Sequence, residues 1–381
     1  MKKILIVLIC ILLLTGCYDY KELSELALVS ALSIEKEDDE FLVNVQSVNI
    51  NDTNSKLETS PITIVSGSGK TLSEAMSNVN QKSSRVFFFS NIEYVLISPE
   101  VISEELDEVL DYLSRSTAFP LNYLVITSTD SKPKDILSAL SKFDMSSYTN
   151  LSKLIKFNDG TGYFLTIKDL LKNYLEYGIT PIYPNIYLNG DPEELSDIDT
   201  LQKSGTDSYL EIKSPVFFKD NKPVSLNKEE NLGFNFLINN ISNAFITSKC
   251  GSEYFTVETL SSKIGYEDDL SKDTIKIKGD VEAELVFYGC NKDLENDKNF
   301  EEFKNTLEET IESYIYDTLD LAKKNKTDFI GIGSYIFKNN NKYFDFKKNN
   351  WNNDGFPNLK FDVNIDITLN NQGNLRSDIN E

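Results

Sequence analysis

The residue with the clearest chemistry is Cys17. It follows Thr15 and Gly16, and these follow an unbroken apolar run from Ile4 to Leu14 behind Met1, Lys2 and Lys3. A basic start, a short apolar stretch and small residues before the break make a secretory signal peptide. The eleven residues of the run reach about 16 Å as a helix at ~1.5 Å per residue. That is half of the ~30 Å hydrocarbon core, too short to anchor the chain by spanning it. The Cys17 thiol is itself a readily alkylated nucleophile.

Leu14-Thr15-Gly16-Cys17 resembles the lipobox of bacterial lipoproteins. In that family the thiol receives a diacylglyceryl group and the chain is cut just before the cysteine. The resemblance implies cleavage between Gly16 and Cys17, lipidation at Cys17, and attachment to a lipid bilayer through that lipid. Two acyl chains hold a protein on a membrane where one is marginal. The plainer reading is an ordinary signal peptide with a chance cysteine.

Few other residues offer reactive chemistry. The chain has no histidine, which removes Ser-His-Asp and Cys-His pairs, histidine-ligated zinc and histidine acid–base work. Gly67-Ser68-Gly69-Lys70-Thr71 lies between a strand and a helix, the setting of a phosphate-binding loop. That loop needs a glycine where this chain has Ile64, so a glycine turn with a helix cap is expected instead. The acidic runs at 37–40 and 267–269 lack the alternating ligand spacing of a calcium loop and are expected as solvated turns. No Gly-x-Ser-x-Gly elbow occurs. Gly331-Ile332-Gly333 lacks a third glycine and is expected as a tight strand. Cys250 and Cys290 can form one disulfide in an exported chain or remain two buried thiols. No catalytic residue, cofactor or metal is expected.

The elements that would carry these residues follow from hydrophobic period. Phe41, Val43 and Val45 alternate as a strand, and 62–65 is another. A helix opens at Thr71, with Glu74 completing a capping box and Leu72, Ala75, Met76 and Val79 on one face. Strands at 92–97, 121–126 and 182–188 alternate with three helices. The first, from Pro99, carries Ile102, Leu106, Val109, Leu110 and Leu113; the second, from Pro133, carries Ile136, Leu137, Leu140 and Phe143; the third covers 165–177. Such alternation is α/β. The polar stretch 190–200 with Asp191-Pro192 marks a boundary. A strand at 216–219, a turn at Asp220-Asn221 and a helix from Lys228 to about Ile241 follow. Val281, Ala283, Leu285 and Phe287, and later Phe361, Val363, Ile365, Ile367 and Leu369, alternate as half-exposed strands. Between them a helix over 300–324 carries Phe303, Leu307, Ile311, Tyr314, Ile315, Leu319 and Ala322.

The expected fold is therefore α+β, three domains of mixed sheet with packed helices. A signal peptide at 1–16 precedes an N-terminal α/β domain at 17–192. A small middle domain at 193–250 and a C-terminal domain at 251–381 follow, the last an antiparallel sheet with one long helix. With 40% hydrophobic and 11% aromatic residues the chain can bury such cores. Its net charge of −22 repels nucleic acid and anionic lipid, so no nucleic-acid partner is expected and charge cannot hold it to a membrane.

Along nearly its whole mature length the chain resembles the Ger(x)C lipoproteins, the C subunits of spore germinant receptors. Tyr18-Asp19-Tyr20-Lys21-Glu22-Leu23 is similar to the family's Cys-Trp-Asp-x-x-Glu-(Ile/Leu) start, and Val45-Gln46 to its next strand. Gly69-Lys70-Thr71, the helix to Gln81, Ser83-Ser84-Arg85 and Arg115 resemble its N-terminal domain. Val216-Phe217-Phe218-Lys219-Asp220 with Leu226 and Glu230 resembles its middle strand and turn. Asp328-Phe329-Ile330-Gly331-Ile332-Gly333, Trp351 and the closing strand through Gly373 resemble its C-terminal domain. Tyr18 departs from the usual Trp, and Ser214-Pro215 from a Gly-x-Ala pattern.

The resemblance implies a non-enzymatic receptor subunit, lipid-anchored on the outer face of the spore inner membrane. It implies integral membrane receptor subunits as partners, small nutrients as the signal, and germination as the outcome. A substrate-binding lipoprotein of a nutrient importer shares the anchor but requires two similar lobes around a cleft. A cell-wall hydrolase is the third reading.

Overall fold

The computed structural model describes residues 22–49, 60–142, 144, 146–157, 162–205 and 207–370. Its larger sheet has nine strands in the order β3-β2-β1-β5-β6-β7-β8-β9, with β4 beside β1. They are β1 (Leu26–Glu37), β2 (Glu40–Val48), β3 (Ile62–Gly69), β4 (Val86–Phe88), β5 (Tyr94–Ile97), β6 (Leu124–Thr127), β7 (Ile182–Asn189), β8 (Tyr209–Lys219) and β9 (Lys222–Ser225). From Val29 to Glu35 β1 is buried on both faces, so most of it shows no alternation for the sequence to reveal. The acidic run at 37–40 is the β1–β2 turn, with Asp38 and Asp39 both at positive φ. That backbone matches the twist of the flanking strands, and Asp220-Asn221 repeats it between β8 and β9.

β1, β5, β6 and β7 run parallel, which requires crossover helices. The helix α1 (Leu72–Asn80) starts at Thr71, whose hydroxyl accepts from Glu74 N–H. The Glu74 carboxylate reaches back to Lys70 N–H at 2.9 Å, one residue before the expected box position. The helix expected from Pro99 to Leu113 is two, α2 (Pro99–Glu104) and α3 (Leu106–Arg115), because Glu105 leaves helical geometry at φ −129°. Its apolar stripe is buried as expected. α4 (Pro133–Ser138) ends before Leu140, and Phe143 lies outside the described residues. α5 (Ser147–Phe157) and α6 (Ile167–Leu175) complete this half. One face of the sheet packs Leu32, Val43 and Val95 against α1, α3 and α6; the other packs Ala31, Leu96 and Ile126 against α4 and α5.

The second sheet has four strands, β10 (Phe245–Cys250), β11 (Glu253–Asp269), β12 (Thr274–Tyr288) and β13 (Lys360–Leu369). The first three pair antiparallel, and β13 joins β12 in parallel. The expected alternation is present on both β12 and β13, but alternation carries no strand direction. A long connection returns the chain to the starting end of β12, and that sets the parallel pairing. It includes α9 (Asp297–Lys324), whose stripe of Phe303, Leu307, Ile311, Ile315, Leu319 and Ala322 is buried. Asn296 caps α9 by accepting from Lys298 N–H at 3.0 Å. A disulfide joins Cys250 at the end of β10 to Cys290 after β12.

The stretch 193–250 divides between the sheets. After α7 (Pro192–Ser196), β8 and β9 extend the first sheet, while β10 opens the second. α8 (Lys228–Leu237) packs on α9, where Thr318 Oγ1 donates to Glu230 O at 2.7 Å. Sheets of nine and four strands are not the two similar lobes an importer's binding protein requires. Among the described residues no helix is long and apolar enough to cross a membrane.

Candidate functional site

Gly16 and Cys17, the expected cleavage and lipidation positions, lie outside the described residues. The described chain begins at Glu22, which opens a single helical turn at Leu23–Glu25. Glu22 N–H donates to the Glu25 carboxylate at 3.2 Å, and Leu26 N–H donates to Leu23 O. The chain then enters β1 directly. At this end β1 pairs with β4, Leu26 opposite Val86 and Leu28 opposite Phe88.

The opposite end of β1 borders a crevice of about 650 Å³, at the carboxyl ends of β1, β5 and β6. Ligands in parallel sheets favour this location. Its walls include Glu35, Lys36, Ser98, Glu100, Asp130 and Lys134. Glu35 is buried, with Ser33 Oγ donating to it at 2.8 Å and Asn44 Nδ2 at 2.9 Å. Burial raises its carboxyl above the ordinary value, against the Ser33 bond. A polar seam continues inward, where Ser30 Oγ donates to Gln46 Oε1 at 2.7 Å and Gln46 Nε2 donates to Ser147 Oγ at 2.9 Å.

Two of the charged groups of the crevice are paired with neighbours outside it. Lys36 meets Glu105 at 2.5 Å, and Lys213 holds the Asp130 carboxyl below its usual range at 3.0 Å. Its three serines are occupied as well: Ser98 Oγ caps α2, Ser128 Oγ donates to Ser131 O, and Ser131 Oγ accepts from Leu188 N–H at 3.0 Å. A serine nucleophile needs an adjacent base, and the hydrogen-bond partners of these three hydroxyls are backbone groups.

Gly331-Ile332-Gly333 is not the tight strand expected from its apolar neighbours. It starts α10 (Ile332–Asn339), with Gly331 at φ +90°. The cause is remote from local propensity. Asp328 Oδ1 accepts from Gly331 N–H at 2.8 Å and Ile332 N–H at 3.1 Å. Its Oδ2 accepts from Gly333 N–H at 2.7 Å and Trp351 Nε1 at 3.0 Å. A carboxylate at a helix N-terminus also meets the positive end of the dipole. Gly333 has no Cβ because one there would stand 2.6 Å from both Gly178 Cα and Trp351 Nε1.

This knot joins the sheets. Thr180 N–H donates to Asp328 O at 2.7 Å, Ser334 N–H to Gly178 O at 3.0 Å, and Phe217 stacks on Phe329 at 4.7 Å. Lys338 and Ser334 meet Glu176 at 2.6 and 2.7 Å and hold its carboxyl below its usual range against burial. Nothing in the knot is open to a ligand: Asp328 and Trp351 are both buried.

Gly67 and Gly69 lie within β3 beneath α1, so the glycine motif forms packing and a helix cap. Among the described residues no three His, Cys, Asp or Glu side chains come together to hold a metal. The sequence pointed to neither the crevice nor the knot as a site, because each is assembled from segments far apart in the chain.

Comparison with known proteins supplies what the site geometry leaves open. Residues 19–188 match the spore germination protein N-terminal domain, and residues 213–373 match the spore germination B3/GerAC-like C-terminal domain. Spore germination protein KC of Bacillus subtilis (strain 168) is 24% identical over 388 residues, covering 97% of this chain and 95% of that protein. The putative spore germination protein YfkR of the same organism is 25% identical over 238 residues, 61% of this chain and 59% of its own length. The crystal structure of the GerBC protein shares the fold, with a TM-score of 0.55 at 14% identity over 89% of this chain and 97% of that one. With two domain matches in the right order and a relative aligned almost end to end, this chain belongs to the Ger(x)C family, the C subunits of spore germinant receptors.

Proposed function

We propose that this protein is a lipid-anchored, non-enzymatic subunit of a nutrient germinant receptor, held at the outer face of the spore inner membrane through Cys17. It acts by contact with integral membrane subunits of the same receptor. The observation that carries this is the conjunction of Leu14-Thr15-Gly16-Cys17 with end-to-end family membership. Support for action without catalysis comes from composition and from the crevice. The chain has no histidine, and the crevice serines are engaged with backbone groups. The anchor's role is local concentration: confining a folded body to a membrane lets weak interfaces with neighbouring subunits suffice.

Cys17→Ala is the test. Spores carrying it should hold less of the receptor and germinate on nutrients at least ~10-fold more slowly, the scale that loss of a tether imposes. Normal receptor content together with normal nutrient germination overturns the anchored mechanism. Co-purification from spore membranes asks the partner question separately, and absence of any polytopic subunit from the pulldown would count against the receptor reading.

A further inference from the structure

The chain enters the described structure at Glu22, five residues after Cys17. Five residues at ~3.6 Å each reach at most about 18 Å. With Cys17 acylated, the bilayer surface therefore lies within that reach of Glu22, the residue before Leu23. What the fold presents there is apolar. Leu26 and Leu28 are half-buried on one face of the β1–β4 ribbon, beside Val86 at 47% and Phe88 at 38% exposure. Leu23, 61% exposed, stands at the tip. On the opposite face of the same ribbon Ala27 and Phe87 enter the core. Among the described residues the outward face does not join that core, and contiguous apolar surface left open marks an interaction site.

We propose that this face, Leu23, Leu26, Leu28, Val86 and Phe88, rests on the bilayer that holds the Cys17 acyl chains. The proposal builds on the lipid-anchor reading above and adds which face of the protein meets the lipid. Contact is apolar and not electrostatic, since a net charge of −22 gains nothing from an anionic surface. It is also shallow. Among the described residues β4 pairs only with β1, so its free edge keeps backbone groups that need water. Glu22, Glu25 and Arg85 around the face are exposed and hold it at headgroup depth. The tether makes a weak contact sufficient. A second exposed apolar face, Phe245, Tyr254 and Phe287, belongs to the other, four-stranded sheet, whereas the chain leaving Cys17 leads into β1.

The experiment uses the full lipidated chain in phosphatidylcholine vesicles, where surface charge contributes nothing. A fluorophore is placed at Phe88→Cys, at Leu23→Cys, or at Tyr254→Cys as the control, and nitroxide-bearing lipids serve as quencher. Labels at 88 and 23 should lose roughly half their fluorescence to the lipid-borne quencher and the label at 254 almost none, as expected for residues seated at the headgroup boundary. Val86→Asp should relieve quenching at 23 while the protein stays on the vesicles. Mass spectrometry of the mature N-terminus separates the two failures. An unacylated Cys17 sinks the anchor reading and this proposal together. An acylated, vesicle-bound chain whose label at 88 is no better quenched than that at 254 sinks the proposal alone. Shielding of 88 that requires co-reconstituted integral subunits assigns the face to a protein partner and also overturns it.

Discussion

Asp328 shows how one side chain can set the start of a helix and join two sheets. It is fully buried, yet four N–H groups donate to it, so two effects oppose each other at its carboxyl. Burial disfavours the charged form, the four donors favour it, and the balance is a carboxyl pushed up to about 6 from an ordinary 3.8. Between those values the folded state binds more protons than the unfolded state, so this residue's contribution to stability falls as pH rises. Asp328→Asn should be destabilising at pH 7, by about 1–3 kcal/mol, because its amide turns a donor toward a backbone N–H. The wild-type advantage over the variant should be larger at pH 4 than at pH 7, by up to about 3 kcal/mol. Urea unfolding of both proteins at the two pH values measures this, and taking the difference removes the parallel titration of Glu35. An advantage that instead grows with pH would mean the four donors outweigh burial.

Among the elements, α8 and α9 cross at a close contact around Gly233. A Cβ at Gly233 would run into the Tyr314 carbonyl and the Thr318 hydroxyl, and the carbonyl is backbone that cannot swing aside. Gly→Ala in a helix ordinarily gains about 1 kcal/mol, while overpacking a tight site costs about 1–3 kcal/mol. Here the second effect should win. Gly233→Ala should lower the urea midpoint with no change of slope; an unchanged or higher midpoint would show that the helices can part cheaply. Elements of this kind were legible where burial is one-sided: the α1 stripe, the long α9 stripe and the alternation of β13 are all visible in the residues. β1 was not, because from Val29 to Glu35 both its faces are buried and the period vanishes. The direction of β13 was not, because period two is the same for parallel and antiparallel neighbours. The start of α10 was mistaken for a strand because Ile330 and Ile332 look β-like, whereas its cap comes from Asp328 and its packing from Trp351. The proposal for Cys17 rests on four consecutive residues, since a processing signal is a local motif that needs no fold around it.

At the scale of the whole molecule, β7 and β8 form a wall shared by both cores. Tyr183 and Val216 face the core of the first sheet, while Ile182 and Phe217 face the core of the second. β8 thus completes the first sheet although it lies beyond residue 188, where the match to the family's N-terminal domain stops. Val216 and Phe217 are both fully buried. At about 1.5–3 kcal/mol per buried side chain they supply roughly 3–6 kcal/mol, a large part of the 5–15 kcal/mol that holds a domain together. Neither half should therefore melt without the other. Trp351 is the single tryptophan and sits in the joint, so its fluorescence follows the second half while far-ultraviolet circular dichroism follows both. In urea the two signals should trace one coincident transition. A fragment covering 22–190 should fail to reach a cooperative fold, because it leaves the β7 edge and the seat of Val216 uncovered. Extending the fragment to 225 restores the strand pairing but leaves Phe217 facing water, so it should fold with a lower midpoint than the intact chain. Two separated transitions in the intact chain, or a cooperative 22–190 fragment, would show that the wall is a contact between independent domains.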